Sequence, residues 1–174
     1  MQERLSSAWL VADFFTYRHR LSGRVDVRHK KLASQLSDPT SDFLALEDAY
    51  ISNVERPAEI IASYTTAVLR KESITAVVCA KQEDGLLREH TYGSYFGTYL
   101  CQVFITVPSF EIEGYLRLSS KMDLRTVLTT GTDVFISILD GHMNSSVRPD
   151  VAFTGGVVLV NKGHIGVFCV KEEE

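Results

Sequence analysis

The chain has little of several things that usually announce a function. Its 174 residues include three cysteines, four prolines and a single tryptophan, and the net charge is only −4. Cys79, Cys101 and Cys169 are odd in number and show no CxxC spacing, which argues against a disulfide framework or a zinc site. Cys79 and Cys169 stand in apolar, β-like runs and read as small buried hydrophobes. Long hydrophobic runs are missing as well. Trp9–Ala12 is broken by Asp13, too short for a signal-peptide core or a membrane span, so the expected compartment is the cytoplasm. No nucleophile elbow, phosphate loop or dinucleotide fingerprint occurs, and the five histidines show neither HxH nor HExxH spacing. Asp140-Gly-His142 offers two ligand types without a third, so no catalytic residue, metal ligand or cofactor is expected, and the chain does not read as an enzyme.

What is present is a repeat. Phe43-Leu-Ala-Leu-Glu-Asp48 is echoed by Phe135-Ile-Ser-Ile-Leu-Asp140, Arg56-Pro57 by Arg148-Pro149, and Val68–Ile74 by Leu159–Ile165. Gly23 and Gly114 fit the same spacing, which stays at 91 or 92 residues throughout. Chance matches scatter in offset, so a constant offset marks an internal duplication. The expected organisation is a first β-domain over 1–80, a connector over 81–99 and a second β-domain over 100–174.

Period-two alternation predicts about five short strands per copy. In the first copy a short helix over 2–12 precedes two strands between Phe14 and Arg28 that turn near Leu21-Ser-Gly23. Strands over 43–51, 60–69 and 74–80 follow. The second copy reads as strands from Tyr99 to Val107, 112–118, 134–139, 151–160 and 165–170. Turns fall at Ser37–Ser41, Pro108-Ser109, 120–132, 141–150 and Asn161–His164. The fold class is therefore mostly β, as two small, strongly bent five-stranded sheets or barrels.

The order of these features resembles the tandem Sm-like proteins of bacterial type. Gly23 and Gly114 match the glycine of that family's first motif, and Val68–Ile74 and Val158–Ile165 resemble its second. The resemblance implies a five-stranded bent barrel in each copy, often behind a short helix, with rings formed by strand-edge pairing and RNA bound at the inner rim. Asp38-Pro-Thr-Ser41 and Asp123-Leu-Arg-Thr126 both lack the asparagine of the RNA-binding members. Asn161-Lys162-Gly163 keeps a Lys-Gly turn, where the first copy has Arg70-Lys71-Glu72.

Candidate contacts follow from charge and aromaticity. Arg18, Arg20, Arg24, Arg28, Lys30 and Lys31 are opposed within their segment only by Asp26, a basic surface for phosphate or an acidic partner. Asn161 and Lys162, at the closing turn, join them. Tyr92, Tyr95, Phe96 and Tyr99 are either stacking platforms or the packing of a seam between the copies. The expected function is a non-enzymatic structural or protein-interaction module that self-associates through sheet edges, with RNA binding as the alternative. Self-association or another protein is the expected partner, RNA a possible one, and neither DNA nor membrane is expected.

Overall fold

The computed structural model describes residues 8–85, 99–118, 124–129, 131 and 133–171. The strands are β1 (Trp9–Phe15), β2 (His19–Asp26), β3 (Phe43–Asn53), β4 (Arg56–Arg70) and β5 (Ala76–Cys79), then β6 (Tyr99–Val107), β7 (Phe110–Leu118), β8 (Phe135–Ser145), β9 (Ala152–Asn161) and β10 (Val167–Lys171). Two short helices, α1 (Leu32–Ser37) and α2 (Leu124–Thr129), lie between strands two and three of each half. All ten strands form one sheet in the order β10-β6-β7-β8-β9-β5-β1-β2-β3-β4, with every pairing antiparallel.

That order corrects the expectation of two separate five-stranded barrels. The strands are mostly where period-two alternation puts them, but the sheet does not stop between the halves. β5 pairs with β9, setting Ala76 opposite Val160, Val77 opposite Leu159, Val78 opposite Val158 and Cys79 opposite Val157. A strand has two faces, and here each face serves a different core. Val77 and Cys79, with Val157 and Leu159, enter the core built around Phe14, Leu32, Leu44 and Leu46. Ala76 and Val78, with Val158 and Val160, enter the core built around Phe15, Ile105, Phe110 and Ile112. Phe15 packs edge-on to Phe110 and Phe153 at 5.2 and 4.9 Å, so β1 of the first half also anchors the second core.

Strand order repeats between the halves, β5-β1-β2-β3-β4 then β10-β6-β7-β8-β9. So does an irregularity. Register shifts between Ser22 and Arg24 and between Glu113 and Tyr115, around Gly23 and Gly114. The facing strands carry Asp48 and Asp140 at φ 49° and 47°, a left-handed backbone that aspartate tolerates better than most residues. A Cβ on Gly114 would stand 2.7 Å from the Leu139 carbonyl oxygen, which is why the bend takes glycine there.

Other local expectations also shift. The turn between the first two strands lies at 16–18, where Thr16 N–H donates to the His19 carbonyl at 2.8 Å, and Leu21–Gly23 is inside β2. Trp9–Ala12 is strand, paired with 23–26, so the expected helix over 2–12 does not extend through it, and residues 1–7 lie outside the described residues. β8 continues to Ser145 through the expected loop at 141–150. Cys79 is buried as expected, but Cys169 is exposed, because β10 is an edge strand.

Candidate functional site

The basic segment is the first candidate, and the fold disperses it. Arg20 points toward Asp13 at 3.1 Å and donates to the Pro57 carbonyl at 3.1 Å, its guanidinium lying over Phe153. Arg24 reaches Asp48 at 2.7 Å and covers the Trp9 ring. Arg28 lies past the end of β2 and folds back onto Asp26 at 2.6 Å. That contact, chiefly its side-chain hydrogen bond, holds the Asp26 carboxyl down at about 2. Lys30 is paired with Asp38, and together with Thr40 it keeps the Asp38 carboxyl well below the ordinary range. Arg18 and Lys31 are exposed. A run of cations in sequence therefore becomes four separate ion pairs, because the carboxylates that answer them come from β1, β3, the end of β2 and the loop after α1.

The closing turns form a second cluster. Asn161 is buried, its Nδ2 donates to the Ile74 carbonyl at 2.9 Å, and its Oδ1 accepts from Gly163 N–H at 2.9 Å. It is thus a structural tie across the seam between the halves. Lys162 N–H donates to the Val134 carbonyl at 2.9 Å. Beside them a cleft of about 530 Å³ is lined by Asp38, Arg70, Lys71, Asn161 and His164 among others. Burial lowers the Lys71 ammonium pKa there, and Lys71 donates to the Asp38 carbonyl at 3.1 Å. The cleft mixes both signs of charge. Tyr92, Tyr95 and Phe96 lie outside the described residues, and of Tyr99 only the strand backbone is described.

The third candidate was legible only in part. β4 and β10 end the sheet and carry its open edges. From Ile60 to Leu69, β4 runs ten residues without a charge or a proline, and Ile60, Ile61, Tyr64 and Val68 are exposed. Its counterpart in the second half is β9, and the contrast is large: Val68 is 62% exposed, while Leu159 at the same repeat position is 1% exposed. The difference is β5, which covers β9 and has no equivalent on β4 among the described residues. At the other end, Val167 and Cys169 on β10 are exposed, whereas Ala76 and Val78 at the same repeat positions are buried in the seam.

Among the described residues no group of three or more His, Cys, Asp or Glu side chains is arranged to hold a metal ion. No described helix is long and apolar enough to cross a membrane. No family model matches the chain, and no curated protein or solved structure matches it either. The Sm-like resemblance is therefore withdrawn, and with it the barrel and the RNA-binding role it implied. Short turn and glycine motifs are compatible with many bent antiparallel sheets, and that compatibility is all they carried.

Proposed function

We propose that this protein is a structural, protein-interaction module that self-associates through its open sheet edges. One observation carries the reading: β4 presents an uncharged, proline-free, half-apolar edge over Ile60–Leu69, while Val157–Val160, which match Thr66–Leu69 in the second half, are buried and paired with β5. Proteins that keep a strand edge unpaired blunt it with charge, proline or a short strand. β4 is 15 residues long and carries its charges at its ends, Arg56, Glu59 and Arg70. Such an edge is either covered by a partner or prone to uncontrolled β-aggregation. The three cysteines are all free, and Cys169 is exposed, which suits a reducing compartment such as the cytoplasm.

Sedimentation velocity on the full chain over a wide concentration range tests this. Species larger than one chain, lost when Ile61 and Val68 are both replaced by lysine with circular dichroism unchanged, support the reading. A monomer at every concentration overturns it.

A further inference from the structure

The internal seam identifies what covers the open edges, an inference that rests on the self-association proposed above. The two halves align at an offset of 91 with several independent anchors. The 3-10 turns Lys71–Ser73 and Lys162–His164 correspond. Ile74 N–H donates to the Lys71 carbonyl at 3.1 Å and Ile165 N–H to the Lys162 carbonyl at 3.3 Å. Thr75 N–H donates to the Phe15 carbonyl at 2.8 Å and Gly166 N–H to the Thr106 carbonyl at 2.9 Å. On this alignment Val157–Asn161 of β9 match Thr66–Arg70 of β4, and Ala76–Cys79 of β5 match Val167–Val170 of β10.

We infer that β10 of one copy adds to β4 of a second copy in the register of the β5–β9 seam. Val167 then opposes Leu69, Phe168 opposes Val68, Cys169 opposes Ala67 and Val170 opposes Thr66. Exposure along both edges supports this register residue by residue. In the seam, β5 sends Ala76 and Val78 into the core of the other half, and β9 sends Val157 and Leu159 the opposite way. Their counterparts are Val167, Cys169, Thr66 and Val68, and all four are exposed in the single chain. The alternate residues Ala67, Leu69, Phe168 and Val170 pack against the core of their own half, as their seam counterparts do. Period-two burial at each edge is thus half complete, and each edge supplies what the other lacks.

The joint has a limit as well. At the seam the chain leaving β5 crosses Gly155 and Gly156, where added Cβ atoms would stand 2.4 Å from the Cys79 carbonyl oxygen and 2.7 Å from the Gln82 nitrogen. β4 has Tyr64 and Thr65 at those places, so pairing is confined to Thr66–Arg70. The two edges are unlike, so the contact is heterologous and joins copies head to tail, in a closed ring or an open filament.

Disulfide trapping tests the register. Asn161 N–H donates to the Thr75 carbonyl, which makes that pair hydrogen-bonded and Val78–Val158, two steps inward of its neighbour, a non-hydrogen-bonded pair. Such pairs have the close Cα approach that a disulfide accepts. In full-length protein carrying Cys101→Ser, Ala67→Cys is expected to cross-link to native Cys169 under mild oxidation, giving a ladder of multimers at least about ten-fold faster than Val68→Cys, whose side chain points to the opposite face. Cys169→Glu is expected to dissociate the assembly without changing circular dichroism. Multimers that form but show no preference for position 67, or that cross-link Cys169 to Cys169, overturn this register and leave self-association standing. A monomer that never cross-links removes both.

Discussion

Asn161 is the sharpest single test of how the halves are held together. It is 3% exposed, and its side chain makes two hydrogen bonds, to the Ile74 carbonyl and from Gly163 N–H, both at 2.9 Å. Replacing it with alanine removes two bonds of about 1 kcal/mol each and strands a buried carbonyl, so the expected loss of stability is about 2–4 kcal/mol. The repeat supplies its own control. Arg70 holds the same position at the open edge, exposed, with its guanidinium 4.6 Å above the Phe43 ring. Arg70→Ala is expected to cost no more than about 0.5–1 kcal/mol, the worth of an exposed cation–π contact. Urea denaturation of both variants, with unchanged slope, measures the difference. A cost below about 1 kcal/mol for Asn161→Ala would refute the claim that this side chain ties the seam.

Three further outcomes follow from the same structure. Burial pushes the Cys79 thiol up to about 12, so in native protein at mildly alkaline pH it is expected to resist a thiol reagent that modifies Cys169 in the dissociated chain, and to react once urea unfolds the protein. Because that folded-state value lies above the unfolded one, the contribution of Cys79 to stability is complete below the ordinary thiol pKa. It declines as pH rises toward 12, more steeply in wild type than in Cys79→Ala under alkaline urea titration. The Asp26 carboxyl, held at about 2 by Arg28, is expected to titrate there by NMR and to return toward 3.8 in Arg28→Ala. Its favourable contribution is present above the unfolded value and fades as pH falls through about 2. Finally, β5 and β9 each feed both cores, so calorimetric unfolding is expected to show one transition rather than one per half.

The sequence shows its strands well and their assembly poorly, for physical reasons. Alternation in Tyr99–Val107 reports which residues face a core, and in Phe43–Ile51 the β-branched repeat partner over 134–139 marks a strand; strands form at both places. It does not report which core, and Ala76–Cys79 is the clearest case: four apolar residues in a row read as a closing strand, yet their two faces serve two different cores. Gly23, Gly114, Asp48 and Asp140 were visible as repeated residues, but their meaning as matched bulges needs the register. In the basic segment, charge read along the chain does not show how its cations are paired. Asp13, Asp38 and Asp48 come to Arg20, Lys30 and Arg24 only through folding. Cys169 was expected inside because its neighbours are apolar, and apolar neighbours on an edge strand do not bury it in a single chain. The open β4 edge leaves one signal in the sequence, the ten uncharged residues from Ile60 to Leu69.

Native mass spectrometry of freshly purified full-length protein tests the central claim most directly. The account predicts assemblies of two or more whole chains, as a ring or an open series, that carry no nucleic acid and fall to single chains when Val68 is replaced by lysine. A single chain as the sole species at every concentration would contradict it.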